Sequence, residues 1–199
     1  MNMSVIKKYN DLFKKVLKNE VIDPSSYFEY YTYLLLMENK ALQNGGFIKS
    51  NQKIVDSKPI SHAPAGPDIE VFGENVAFIC ECSLKSGSMQ FDDEHESVSR
   101  HYEKFFEENK LNYRDIVCFF IAPKISFEIS EWFYCLRNEI KIIPIELDSF
   151  TSLMAKLSNS SIDTYESQIL DLASTVFSID KHQNWVEKIN EIVTKIEIE

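Results

Sequence analysis

The sequence predicts an α/β fold in which a mixed central β-sheet is flanked by helices. Two nearly continuous apolar runs, RDIVCFFIA and IKIIPIEL, are typical of strands buried on both faces. Segments of helical character separate these runs from their neighbours, and such alternation favours a helix-covered sheet. A chain of 199 residues has room for one such domain. We expect a single domain over residues 1–199, with N-terminal helices in 4–44 and C-terminal helices in 147–199 packed on its core.

The N-terminal region is predicted to be helical. Residues 4–19 form an amphipathic pattern in which lysines lie opposite an apolar stripe. That stripe consists of Val5, Leu12, Phe13 and Val16. Residues 23–26, Asp-Pro-Ser-Ser, are a typical helix entry, and the long apolar helix that follows is expected to end at Gly45-Gly46. Residues 47–67 are expected to be irregular, since they end in a turn-rich segment.

Strands and helices alternate over the rest of the chain. Residues 68–73 and 76–83 are predicted to be two short strands joined at Glu74-Asn75. The further predicted elements are a helix at 92–109, a strand at 114–122, a helix at 125–138, a strand at 140–147, and helices at 147–157, 163–177 and 181–199.

The charge of the chain is strongly acidic. It has 21 basic and 31 acidic side chains, a net charge of −10 and a pI near 5.0. A protein that finds nucleic acid through its own field normally carries a basic surface and a high pI. If this protein acts on nucleic acid, another component is therefore expected to bring it there.

Cysteine usage and hydropathy predict a cytoplasmic protein. The four cysteines lie in apolar runs with no CxxC pair, so we expect buried free thiols rather than a zinc site. The N-terminus is amphipathic and no 18-residue apolar run occurs, so neither a signal peptide nor a membrane span is predicted.

Two carboxylates are predicted to lie opposite each other in the hairpin. If Glu74-Asn75 forms the turn, paired residue numbers sum to 149, which places Asp68 across from Glu81. Opposed residues hold their Cβ atoms about 4.5–5.5 Å apart. Carboxylates at that distance repel unless they share a proton or have a basic or divalent-cation partner. Glu74-Asn75 is not an optimal hairpin turn, so a one-residue slip stays open.

The residues around this hairpin resemble a known family. The chain carries His62-Ala63-Pro64, Gly66-Pro67-Asp68, Glu81-Cys82-Ser83, Gly87-Ser88-Met89-Gln90, Glu94 and Val98-Ser99-Arg100-His101. In order and spacing this set resembles the cleavage domain of the AlwI-type restriction endonucleases, within the PD-(D/E)xK nuclease fold. The resemblance implies a restriction-endonuclease-like core and a nuclease domain over the whole chain.

The resemblance also implies metal-dependent phosphodiester hydrolysis. Asp68, Glu81 and the backbone carbonyl of Cys82 would hold Mg²⁺, for which Mn²⁺ may substitute in the family. Glu94 and Glu29 would bind a second ion or orient the attacking water. Oxygen ligands of this kind suit a hard cation. From pattern alone, Glu29 is instead expected at the solvent-facing edge of its helix.

One position departs from the broader nuclease pattern. Ser83 stands where most members have a lysine, although AlwI-type enzymes also carry a small hydroxyl residue there. This leaves open which group activates the water, and the candidates are Lys85, Gln90 and Glu94.

Several of these residues also have purely structural interpretations. Asp68 suits a turn, Glu94 suits a helix N-terminus and Gln90 suits a loop. Candidate phosphate contacts are His62, Lys85, Arg100 and His101, although Arg100 and His101 could instead pair with acids of their own helix. Four tyrosines are expected in the core or at a helix edge rather than in a base-stacking platform. They are Tyr27, Tyr30, Tyr31 and Tyr33.

The chain offers no recognisable DNA-reading module. A partner that recognises the site is therefore expected, and some AlwI-type enzymes are heterodimers. The resemblance thus implies the small catalytic subunit of a heterodimeric type IIS restriction endonuclease, which would cut one strand of double-stranded DNA when bound to a large recognition subunit. The alternatives are a free-standing nuclease of the same fold, acting in repair or on mobile elements, and a non-catalytic interaction module.

Overall fold

The computed structural model describes residues 3–61, 66–180 and 183–196. In chain order the strands are β1 (Phe47–Ser50), β2 (Lys53–Val55), β3 (Lys58–Ser61), β4 (Ile69–Phe72), β5 (Val76–Cys82), β6 (Asp115–Ala122) and β7 (Ile142–Glu146). The helices are α1 (Met3–Leu17), α2 (Pro24–Met37), α3 (Lys40–Gly45), α4 (Ser88–Asn109), α5 (Phe127–Leu136), α6 (Leu147–Leu157), α7 (Ile162–Phe177) and α8 (Trp185–Lys195).

Five of these strands form a mixed sheet in the order β1-β4-β5-β6-β7. The pairs β1–β4 and β4–β5 are antiparallel, whereas β5–β6 and β6–β7 are parallel. Parallel neighbours need a crossover, and α4 and α5 supply the two crossovers here. β2 and β3 form a separate two-stranded antiparallel sheet. The mixed sheet flanked by helices confirms the predicted fold class.

Local sequence signals explain where several helices begin. Asp23 caps α2 by accepting a hydrogen bond from the Ser26 N–H, and Pro24 occupies the first helical position, where no N–H is needed. Ser126 caps α5 and Ser161 caps α7 in the same way. Each cap satisfies a backbone donor that the first helical turn would otherwise leave unpaired.

One hydrophobic cluster connects the sheet with helices from both ends of the chain. Phe13 of α1 packs edge-on against Phe28 of α2, and α1 also contacts α6. Phe119 of β6 packs against Phe150 of α6, while α8 covers β7. The central strands are buried on both faces, which is why their sequences are almost continuously apolar. No helix in these described ranges is long and apolar enough to span a bilayer.

The structure differs from the sequence-based expectation in the N-terminal third. Residues 47–61, expected to be irregular, contain β1, β2 and β3, which are only three or four residues long. The expected long helix is divided, because Asn39 caps a new helix with its side chain on the Ala41 N–H. Helix α4 begins at Ser88, four residues earlier than predicted. Cys135 is exposed, contrary to the expectation that all four thiols are buried.

The predicted hairpin register is correct. Ile69 pairs with Cys80 and Phe72 with Ala77, so paired numbers sum to 149 along the β4–β5 ladder. The turn is stabilised from a distance by the buried carboxylate of Glu166 on α7. Its Oε1 accepts hydrogen bonds from three successive N–H groups, and its Oε2 accepts one from an amide side chain. The donors are the N–H groups of Glu74, Asn75 and Val76 and the side chain of Asn75.

We predict that Glu166→Ala destabilises the protein by roughly 2–4 kcal/mol, because it removes the acceptor of three N–H groups of the turn, one of them buried. Urea denaturation followed by circular dichroism measures this loss. Glu166→Gln keeps one acceptor oxygen and should cost less. Asp171→Ala removes an exposed carboxylate from the same helix and serves as the control. Equal unfolding free energies for the alanine variants would refute the role of Glu166.

Candidate active site

An open cleft of about 840 Å³ lies at the carboxyl end of β5 and beside α4. Its walls include the four carboxylates singled out in the sequence and several cationic side chains. The acids are Glu29, Asp68, Glu81 and Glu94; the basic groups are Lys85, Arg100, His101 and Lys104. The fold therefore brings most of the predicted site residues to one place. His62 lies outside the described residues.

Asp68 stands immediately before β4, at the point where the hairpin register continues toward Glu81. Its Oδ2 accepts a hydrogen bond of 2.7 Å from the Cys82 backbone N–H. This bond ties the start of one strand to the end of its neighbour. The carboxylate is thereby held in the cleft and is not an exposed turn residue.

Glu81 lies near the end of β5 and is 7% exposed. Its Oε1 is 2.9 Å from Nδ1 of His101, which projects from α4. The sequence left open whether His101 pairs with an acid of its own helix, and the structure shows that it pairs with Glu81 instead. An imidazole in this position orients the carboxylate without occupying both of its oxygens.

Glu94 is oriented by two groups from the segment that follows β5. Ser83 Oγ donates a hydrogen bond of 2.9 Å to Glu94 Oε1, and Lys85 Nζ lies 3.6 Å from the same oxygen. Lys85 makes a closer ion pair, 2.9 Å, with Asp93. The small hydroxyl at position 83 thus positions a carboxylate of α4.

Glu29 is buried at 6% exposure, which corrects the expectation from pattern alone that it faces solvent. Gln52 Nε2 donates to Glu29 Oε2 at 3.2 Å and to the Ser26 carbonyl at 2.8 Å. Gln52 was not predicted as a site residue, because it lies in the short strand region that the sequence pattern did not reveal. It connects α2 to the segment before β2.

The electrostatics of the cleft disfavour four negative charges. Burial, then the neighbouring carboxylates of Glu81 and Glu29, raise the pKa of Asp68 well above its ordinary value, although the Cys82 N–H opposes this. Burial also raises the pKa of Glu81, with Glu94 and Glu29 adding to the shift. Without a cation between them, the neighbouring carboxylates of the cleft therefore repel one another when they are ionised.

Helix α4 also contributes cationic groups to the cleft, on one of its faces. Residues 97, 100, 101 and 104 follow the spacing that places side chains on one helical face. Within the described ranges neither Arg100 nor Lys104 has an acidic side chain in ion-pairing distance. Burial and these two positive charges lower the pKa of His101. Lys104 was missed in the sequence, although its spacing of four from Arg100 could have revealed it.

Gln90, a catalytic candidate from the sequence, is held by backbone groups away from the cleft. It is fully buried, and its Nε2 donates to the carbonyls of Lys85 and Lys124 while its Oε1 accepts from the Ser126 N–H. Because its amide is occupied by backbone groups, it does not face the cleft. It joins the segment after β5 to the start of α5.

The four tyrosines Tyr27, Tyr30, Tyr31 and Tyr33 pack in or against the core, as expected.

The donor set fits a hard divalent cation. In the described parts of the chain, no ready-made group of three His, Cys, Asp or Glu ligands is present. Mg²⁺ needs fewer, since it is usually bound by one or two carboxylates and keeps several waters. Asp68 and Glu81 supply two carboxylates, and the Cys82 residue lines the same cleft. Their raised pKa values mark a place where a cation would relieve repulsion.

The fold is that of a restriction endonuclease subunit. The small subunit of the heterodimeric restriction endonuclease R.BspD6I has a similar structure, with a TM-score of 0.76 and 24% sequence identity. The match covers 94% of this chain and 98% of that subunit. No curated protein sequence matches the chain significantly.

Family membership follows from the sequence itself. Residues 3–153 match the model of the AlwI restriction endonuclease family, a range that contains every carboxylate of the cleft. The protein belongs to the AlwI restriction endonuclease family, which confirms the resemblance seen in its motifs. Membership indicates a DNA endonuclease.

The cleft predicts how stability depends on pH. A carboxyl whose pKa is raised by folding stabilises the protein fully below its ordinary pKa, and this contribution is lost as pH rises through the raised value. In the presence of EDTA, the melting temperature should therefore fall as the pH rises from the ordinary carboxyl pKa toward the raised pKa values of Asp68 and Glu81. Added Mg²⁺ should restore the melting temperature at the highest pH values. The lowered pKa of His101 acts in the opposite sense only at lower pH.

The control for this prediction compares two single-charge variants. Asp68→Asn should flatten the pH dependence, whereas Asp92→Asn removes an exposed charge from α4 and should leave it unchanged. Thermal unfolding by differential scanning calorimetry gives both curves. Parallel curves for the two variants would contradict the assignment of the repulsion to Asp68.

Proposed function

We propose that this protein is the small catalytic subunit of a heterodimeric type IIS restriction endonuclease. It cleaves one strand of double-stranded DNA in an Mg²⁺-dependent reaction when it is bound to a large subunit that recognises the site. The observation that carries this proposal is the convergence of Asp68 and Glu81, both with raised pKa values, in one open cleft of an AlwI-family chain.

Three observations support a partner subunit. The net charge of −10 opposes association with the phosphate backbone, so affinity for DNA has to come from elsewhere. Met89, Phe127 and Trp132 are 62%, 61% and 37% exposed, which leaves large apolar side chains available for contact with a partner. The similar R.BspD6I chain is itself a small subunit, and the two chains correspond over almost their full lengths.

In the proposed reaction Asp68, Glu81 and the Cys82 carbonyl would hold Mg²⁺, which would polarise the scissile phosphate and lower the pKa of a bound water. The protein's own contribution is positioning. His101 orients Glu81, and the Cys82 N–H orients Asp68. Arg100 and Lys104 lie on the same cleft wall and bind the flanking phosphates as charge-assisted donors.

Glu94 is the best candidate for orienting the attacking water. Lys85 is a poor base: burial alone would lower its pKa, but the hydrogen bond to Asp93 and the charge of Glu94 outweigh burial and raise it. The ammonium therefore stays protonated and acts as a cation. Ser83 holds one Glu94 oxygen and leaves the other available to accept a hydrogen bond from water.

We predict that plasmid DNA carrying the recognition site is linearised only by a mixture of this protein and its large subunit. Asp68→Asn or Glu81→Gln should lower the rate of second-strand cleavage at least about 100-fold, because each removes a charged metal ligand. Gel electrophoresis of nicked and linear products measures both effects. Asp171→Asn, with an equal charge change on α7, should cut normally.

Two results would contradict the proposal. Efficient linearisation by this protein alone would exclude a dependent subunit. Normal second-strand cleavage by Glu81→Gln would exclude the proposed metal site. Circular dichroism of each variant separates either result from misfolding.

The roles of Glu94 and Lys85 make a separate prediction. Glu94→Gln should lower the single-turnover cleavage rate about 10- to 100-fold, as expected when a water-orienting carboxylate is lost. Lys85→Met should retain the pH profile of the wild type, because a lysine that stays protonated does not titrate as the base. A pH–rate profile whose rise with increasing pH is lost in Lys85→Met would instead identify Lys85 as the base.

A further inference from the structure

The β2–β3 hairpin projects a basic and apolar face next to the cleft. Its strand pairs place Ile54 opposite Pro59, and these two partly buried side chains lie on the face nearer α2. The other side chains are exposed: Lys53, Val55, Lys58 and Ile60. In the described part of the chain neither lysine has an acidic side chain in ion-pairing distance. The only acid within the hairpin itself is Asp56, at the turn.

The hairpin is anchored to the acidic residues of the cleft at its base. The Asn51 N–H donates to the carbonyl of Asp68 at 3.0 Å, and the Asn51 side chain donates to the carbonyl of Pro67 at 2.8 Å. Gln52, the next residue, donates to Glu29. Two successive residues thus connect the hairpin to both sides of the cleft.

The tip of the hairpin is anchored as well. Tyr30 Oη on α2 donates a hydrogen bond of 2.9 Å to the carbonyl of Ser57. Asp56 and Ser57 both have positive φ angles, 50° and 59°, which are required by the tight turn. Because base and tip are both held by α2 or by the segment around Asp68, the lysines occupy a defined position relative to the cleft.

Charge is divided unevenly along the chain. Residues 1–61 contain nine lysines and six acidic residues, a net charge of +3, whereas residues 62–199 contain 12 basic and 25 acidic residues, a net charge of −13. Such asymmetry is typical of a protein in which one part faces a polyanion. The hairpin is the part of the basic segment that is hydrogen-bonded to the cleft.

We propose that the β2–β3 hairpin is a DNA-contacting arm, in which Lys53 and Lys58 bind backbone phosphates of the duplex beside the cleft. The inference rests on the proposed function, since it assigns the substrate contact of the same site. The lysines offset repulsion between the duplex and the acidic cleft. The exposed Val55 and Ile60 lie against the sugar edge of a groove, where apolar side chains are accommodated.

The test uses the full-length protein with its large subunit. In K53E/K58E, the KM for plasmid DNA at 150 mM KCl should rise about 10-fold or more, with kcat at saturating DNA little changed. The slope of log affinity against log salt should decrease by about two, one for each lost phosphate contact. K188E/K195E makes the same charge change on α8 and should keep both parameters. Circular dichroism verifies folding of both variants.

The outcomes separate the arm from the proposed function. Suppose that the wild-type mixture cuts DNA and that K53E/K58E has the same KM and salt slope as K188E/K195E. The proposal of a DNA-contacting arm is then overturned, whereas the proposed function stands. If the wild-type mixture fails to cut, the proposed function is overturned. The arm is then decided by gel-shift binding of duplex DNA to the isolated chain with Ca²⁺ at low salt, where equal binding by both variants rejects it.

Discussion

Repulsion between carboxylates that the hairpin places together is the constraint on which the site depends. Asp68 and Glu81 lie where β4 begins and β5 nears its end, and burial strengthens their interaction because it removes the screening of water. The surrounding groups offset this cost only in part. The Cys82 N–H and His101 each satisfy one oxygen, so the unneutralised charge remains directed into the cleft.

The register of the β4–β5 hairpin could be predicted from the sequence, but the contact that fixes this register could not. Counting from Glu74-Asn75 predicts which residues face each other, since strand pairing is periodic. That turn sequence is weak by itself. The register is secured by Glu166, which lies about 90 residues further along the chain and accepts three N–H bonds of the turn. Gly73 permits this approach, because a Cβ there would lie 2.1 Å from a Glu166 oxygen.

A site residue could be predicted where its type and local sequence allow few roles. It could not be predicted where its role depends on contacts with distant parts of the chain. Buried acids in an apolar strand indicated Glu81 from the sequence alone. Gln90 satisfied the family motif, yet its role is to bind backbone carbonyls of two segments, a contact that spacing cannot reveal. Glu29 is buried, and Gln52, which lies between two strands too short to show a period, donates a hydrogen bond to it.

Acidity and subunit organisation are connected in the proposed assembly. A catalytic subunit with a net charge of −10 has little affinity for DNA, so without its partner it seldom binds the phosphate backbone. Docking on a subunit that holds the site raises the effective concentration of DNA at the cleft to the millimolar range or above. Weak contacts by a few cations are then sufficient, because the encounter is intramolecular. The same weakness confines cutting to DNA that the partner has already bound, which makes low intrinsic affinity a source of specificity rather than a defect.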